Sequence, residues 1–157
     1  MPSLSLIEKN KQLIFRLMQE MDKGNLDVID KFYASDYIDH SPSAIREMLP
    51  GIEGIKHAFK LLYAAFPDTA HKIEDIIAEG DRVVLRISAT ATHTGEIFGV
   101  KPTGKKVELS SIVIYRIIDG KIVERWVAQQ GPGVLQQIGA TVPTTSSIKP
   151  QASSNKF

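Results

Sequence analysis

The chain has 157 residues, 43% of them hydrophobic, and 19 basic against 18 acidic side chains leave a formal charge of +1. That composition suits one globular domain with a core, and with no block of like charge it argues against nucleic acid or an anionic membrane as partner. There is no cysteine, which excludes disulfides, a thiol nucleophile and thiolate zinc sites. The apolar runs are far short of a membrane span, and Met1 to Glu8 show no basic region followed by an apolar block. A cytoplasmic domain is expected.

Leu6, Leu13, Leu17 and Met21, with Ile7, Ile14 and Met18 beside them, recur at helical spacing. Ser5 and Glu8, three residues apart, fit a capping box at the start of this first helix. Gly24-Asn25 breaks it, and a short second helix is predicted over Leu26 to Phe32. Tyr37-Ile38-Asp39-His40 reads as an extended piece stopped by Ser41-Pro42. Ser41 to Gly51 reads as loop with a helical turn. A third helix over Ile52 to Phe66 places Ile55, Phe59 and Leu62 on one face, and Pro67-Asp68 ends it.

The period then changes. His71 to Ala78 is a predicted strand and Glu79-Gly80-Asp81 a tight turn. From Arg82 to Thr94 the side chains alternate, with Val83, Leu85, Ile87, Ala89, Ala91 and His93 on one side. Lys106 to Ile118 is the next strand. Between the two lies Gly95 to Lys105, with three glycines and a proline, a segment suited to fold over an opening as a flap. Asp119-Gly120 turns the chain into a last strand running to Gln130. In a regular strand Ile122, Glu124, Trp126, Ala128 and Gln130 would share one face, a row that suits a pocket wall. A short helix over Val134 to Ile138 follows. Beyond Thr141 the composition turns to Thr, Ser, Pro, Lys and Asn, so residues 1–140 are expected to form one domain and 141–157 a flexible tail. Helices gathered on one face of a curved antiparallel sheet make an α+β cone whose mouth would bind a small molecule.

Several residues carry candidate chemistry. His93 is in phase with an apolar face and is either a core histidine or, because imidazole titrates near neutrality, a proton carrier. His40 follows Asp39 and is read as a pocket histidine or a structural one. Glu124 is either a base whose pKa is raised by desolvation or a strut paired with Arg86 or Arg116. Trp126, Phe59, Phe98 and Tyr37 are either an aromatic wall for a planar substrate or core. His57 and His71 read as edge or surface positions, and no histidine spacing suggests a metal site.

The ordered set Tyr37-Ile38-Asp39-His40, Phe66-Pro67-Asp68, Glu79-Gly80-Asp81-Arg82-Val83, Thr92-His93-Thr94-Gly95-Glu96-Ile97-Phe98-Gly99, Pro102-Thr103-Gly104-Lys105 and Gly120 to Trp126 resembles the SnoaL-like polyketide cyclases, also called ester cyclase-like, of the nuclear transport factor 2-like superfamily. The resemblance spans about Glu8 to Gly139. It implies a cone-shaped α+β barrel related to the cystatin-like folds, with helices against the curved sheet, an apolar pocket for a small-molecule ligand, no cofactor and no metal, and a homodimer packed through the sheet. It further implies acid–base ring closure on an apolar carbonyl compound, relying on an aspartate about four residues after the family's Trp. Here that position is Gln130, an amide that can hold a substrate by hydrogen bonds but cannot exchange a proton near neutrality. On this reading His93, His40 and Glu124 are the expected proton-transfer groups, while Gln130, Trp126, Tyr37, Phe59 and Phe98 hold the substrate. The alternatives are a non-catalytic binding or dimer-scaffold protein, or an isomerase, dehydratase or epoxide hydrolase of the same superfamily.

Overall fold

A computed structural model describes residues 4–41 and 49–140. The expected helical turn within Ser41 to Gly51 and the expected flexible tail lie, wholly or in most of their length, outside the described residues. Helix α1 spans Leu6–Asp22 and opens on the expected capping box. The Glu8 backbone N–H donates to the Ser5 hydroxyl, and the Ser5 N–H donates to the Glu8 carboxylate. Helix α2 (Asp27–Phe32) leads directly into strand β1 (Tyr33–Asp39), which begins four residues earlier than the Tyr37 expected from the sequence. Helix α3 (Gly51–Ala65) buries Ile55, Ala58 and Phe59.

Strands β2 (Ala70–Glu79), β3 (Arg82–Thr92), β4 (Lys106–Ile118) and β5 (Lys121–Gln130) follow, and α4 (Val134–Gln137) closes the described chain. The order across the sheet is β1-β5-β4-β3-β2. Its consecutive strands pair antiparallel, whereas β1 lies parallel to β5 at the edge. The sheet curves around the helices without closing, and among the described residues β1 and β2 are its edge strands. Among the described residues no helix is long and apolar enough to cross a membrane.

The inner face of β3 is the one its alternation predicts: Val83, Leu85, Ile87, Ala89 and Ala91 are buried. Ile14, Leu17 and Met18 of α1, Val28 and Ile29 of α2, and Ile55 and Phe59 of α3 pack against it as the main core. A second apolar cluster at the far end of the sheet joins Ala65, Phe66, Ala91, Val107, Ile97 and Ile138.

Strand β5 departs from simple alternation. Its pairing with β4 moves from Arg116 opposite Glu124 to Ile117 opposite Ile122, so two residues of β5 advance against one of β4. This is a β-bulge, and one extra residue inverts the side-chain parity beyond it. Ile122 is fully buried, yet Arg125 and Val127, not Glu124 and Trp126, continue the inner face. The row Ile122, Glu124, Trp126, Ala128 and Gln130 expected from regular alternation therefore does not share one face.

Candidate functional site

Between the helices and the inner face of the sheet lies a cavity of about 210 Å³. Met18, Met21, Phe59, Leu62, Phe66 and Val127 give it an apolar wall, and Val134 of α4 adds to it. The ionisable side chains that line it are His71, Arg125, Tyr33, Tyr63 and Tyr115.

His71 stands near the start of β2, opposite the inner-face residue Ala89. Its Nδ1 lies 2.5 Å from the Asp22 carboxylate, which also accepts the His71 backbone N–H at 3.1–3.2 Å. Asp22 is the last residue of α1, so this contact ties the helix end to the first strand of the sheet. A carboxylate on Nδ1 fixes the ring orientation and places the proton on that nitrogen, which leaves Nε2 as the basic site of the neutral ring. Beside it, Tyr63 donates its hydroxyl to the Met21 carbonyl. Burial pushes the Tyr63 phenol up, and the Asp22 charge adds to the effect, so Tyr63 stays protonated.

Arg125 enters the cavity through the parity change in β5. Its Nη1 donates to Asp39 at 3.0 Å, and both side chains are nearly buried. Burial alone would lower the guanidinium pKa, but the oxygens of Tyr115, Tyr33 and Asp39 outweigh it and raise the value. Arg125 is therefore charged at every working pH.

Of the residues singled out from sequence, Phe59 lines this cavity. Tyr37 is buried in the core, edge-on to Tyr33 at 4.9 Å. His93 is fully buried beyond the cavity wall, its ring against Phe66 at 5.3 Å. The Thr103 backbone N–H donates to its Nδ1 at 3.1 Å, so the proton sits on Nε2, which has no partner among the described residues. In place, His93 anchors the base of the 95–105 segment. Phe98 has φ +49° at the tip of that segment and packs on the second apolar cluster.

His40, Glu124 and Trp126 come together on the outer face of the sheet, away from the cavity. The rings of His40 and Trp126 stack at 4.6 Å, and His40 Nε2 meets Glu124 at 3.0 Å. Arg116 donates to Glu124 and to Asp81, each at 2.9 Å, and the Arg82 guanidinium lies 5.3 Å over the Trp126 ring. Of the two readings of Glu124, the observed contacts match the strut to Arg116. Gln130 accepts from Ser110 at 3.3 Å, also outside. Its neighbour Gln129 pairs with Ser111, which lines the cavity, so the amide in phase with the cavity is Gln129.

The hydrogen bond from Arg116 is the main cause that lowers the pKa of both Glu124 and Asp81, and His40 contributes at Glu124. A carboxylate with a depressed folded-state pKa stabilises the fold above its unfolded pKa of about 4. The contribution is lost as pH falls through the lower folded value. We predict that Arg116→Gln narrows this loss: the drop in Tm between pH 5 and pH 2.5 should be smaller in the variant, most visibly at low salt. An identical acid profile in both proteins would sink the prediction.

A family model described as SnoaL-like polyketide cyclase matches residues 12–138. The chain belongs to this family. Aklanonic acid methyl ester cyclase DauD of Streptomyces sp. strain C5 is 27% identical over 140 residues, which cover 88% of this chain and 86% of that protein. Nogalonic acid methyl ester cyclase of Streptomyces nogalater is 26% identical over 139 residues, covering 85% of this chain and 100% of that one. Among solved structures, IdmH of Streptomyces antibioticus, a proposed polyketide cyclase, superposes with a TM-score of 0.69 at 31% identity, covering 83% and 99% of the two chains. AclR of Streptomyces galilaeus, a proposed hydroxylase, gives 0.73 at 31% identity over 85% and 97%. These relatives support a cyclase-type function and the nuclear transport factor 2-like fold. In this family member the groups that meet at or beside the cavity come from α1, β1, α3, β2, β4 and β5. Asp22 and His71 are 49 residues apart, so no local motif announces the pair.

Proposed function

We propose that this protein is a cofactor-independent, cyclase-type enzyme that closes a ring in an apolar, enolisable carbonyl compound. The observation that carries the reading is the Asp22-oriented His71 facing an apolar cavity. His71 Nε2 takes a proton from the carbon next to a carbonyl. The resulting enolate carbon attacks a second carbonyl of the same molecule, and the new alkoxide takes the proton back from the imidazolium. Proton count and charge are restored, so no external reagent is consumed. The cavity wall excludes water and holds the chain folded for attack. In this reading His71, which lines the cavity and is held by Asp22, takes the proton-transfer role expected of His93, His40 and Glu124. Phe59 keeps its place against the substrate.

The test is a panel of aromatic methyl esters and 1,3-diketone side-chain substrates, followed by chromatography for ring-closed product at unchanged mass. Binding to the panel without any product would instead identify a small-molecule carrier of the same fold.

The same reading includes a homodimer packed through the outer face of the sheet. Ile38, Ile77 and Ile112 are exposed there, with Ile77 at 64%, around the half-buried Trp126. Ile112→Asp should convert a dimer to a monomer in light scattering coupled to gel filtration. A wild-type protein that runs as a monomer at all concentrations would overturn the assignment.

A further inference from the structure

Arg125 has no role in the proton transfers of His71, and the register shows how far apart the two groups stand. On β3 the row that ends in Arg125 begins at Val83 (Val83, Tyr115, Arg125), whereas His71 lies opposite Ala89. Six residues of strand separate the rows, roughly 20 Å of backbone at about 3.3 Å per residue. The two side chains therefore bracket the length of the cavity and cannot both address one carbonyl group. One end carries the Asp22 carboxylate behind His71, and the other carries a permanently charged guanidinium flanked by Tyr33 and Tyr115.

Asp39 is the obvious partner of Arg125, and the two are register neighbours across β1 and β5. A simple strut would need no cavity-facing cation. Among the described residues, however, the bond from Nη1 to Asp39 is the hydrogen bond that the guanidinium makes, out of five N–H groups. Asp39 also accepts the Ser41 backbone N–H at 3.1 Å, so its carboxylate is held on the β1 side. Arg125 lines the cavity together with Tyr33, Tyr115 and the apolar Val113, Val127 and Phe59. A planar fork at the end of an apolar slot matches a carboxylate or another acidic oxygen, bound through paired charge-assisted hydrogen bonds.

We propose that Arg125 is a specificity-determining residue that binds an acidic oxygen of the substrate, at the end remote from the carbon that His71 deprotonates. The substrate class is then an elongated, mostly apolar carbonyl compound with a terminal carboxylate or acidic hydroxyl. The guanidinium N–H groups that Asp39 leaves unused, together with repulsion from the Asp22 carboxylate at the other end, orient it. This inference rests on the proposed site but not on its chemistry.

The experiment measures binding of 2-naphthoate and of its neutral isostere 2-naphthamide to the full chain by calorimetry, alongside Arg125→Met, Arg125→Lys and His71→Ala. A charge-assisted pair implies about tenfold or greater preference for the naphthoate in the wild type. Arg125→Met should abolish the preference while retaining the naphthamide, and Arg125→Lys should keep part of it. Equal binding of the two probes by the wild type, or a preference that survives in Arg125→Met, overturns the proposal. If Arg125→Met does not fold, the wild-type ratio and its reduction in Arg125→Lys decide instead. His71→Ala separates this proposal from the catalytic one: it should lose turnover and keep the naphthoate preference.

Discussion

Replacement of His71 by alanine is expected to lower turnover of a ring-closing substrate by about 10²–10⁴-fold, the range typical of a lost general base. Substrate binding should change much less, because the cavity wall is mostly apolar and remains in place. Asp22→Asn should lower turnover over a similar range for a different reason. An asparagine amide can offer a donor to Nδ1, which would move the imidazole proton to Nε2 and leave no base facing the substrate. The two substitutions act on one unit, so the double variant should be little worse than either single one. Unchanged turnover in His71→Ala would remove the site proposed above. If His93→Ala then lost activity instead, proton transfer would return to the histidine that the sequence pattern favoured.

Why that pattern pointed elsewhere is a matter of parity and distance. The helices were legible because Ile14, Leu17, Met18, Ile55 and Phe59 recur at the helical period and are indeed buried. The alternation of β3 was equally readable, since every inner position from Val83 to Ala91 is buried. Strand β5 departs from simple alternation at a single residue. A bulge leaves no mark in composition, and Glu124 and Trp126 look like pocket residues until one extra residue turns them outward. That same residue brings Arg125 in. His71 looked like a surface residue because a histidine at a strand start usually is one. Only the docking of the α1 terminus, 49 residues earlier in the chain, supplies the Asp22 carboxylate that orients it. Neither period nor local motif encodes a contact of that kind.

Gly95→Ala is expected to destabilise the fold by about 3 kcal/mol, within the upper range for single substitutions, and to loosen the 95–105 segment first. A Cβ at this position would lie 2.0 Å from the Ala64 carbonyl oxygen and 3.0 Å from the Ala65 Cα. Both are backbone atoms at the end of α3, so no rotamer change relieves the overlap. The close approach exists because the Thr94 and Gly95 N–H groups both donate to the Ala65 carbonyl at 3.0 Å, which satisfies an acceptor that the ending helix leaves unpaired. Forcing the segment away would break both bonds and draw Ile97, 2% exposed, out of the cluster it shares with Phe66 and Val107. Those two residues also line the cavity, so the damage should reach ligand binding as well as stability. By contrast, an alanine at Gly99 meets no atom within 4 Å, and its cost comes only from φ +77°, so Gly99→Ala should be the milder change. Urea denaturation of the two variants compares them, with hydrogen exchange of the Ile97 and Val100 amides reporting on the segment. Equal midpoints for Gly95→Ala and Gly99→Ala would show that the chain between β3 and β4 can lift from α3 at little cost, and the segment would then act as a loose flap rather than as a fixed cover on the second apolar cluster.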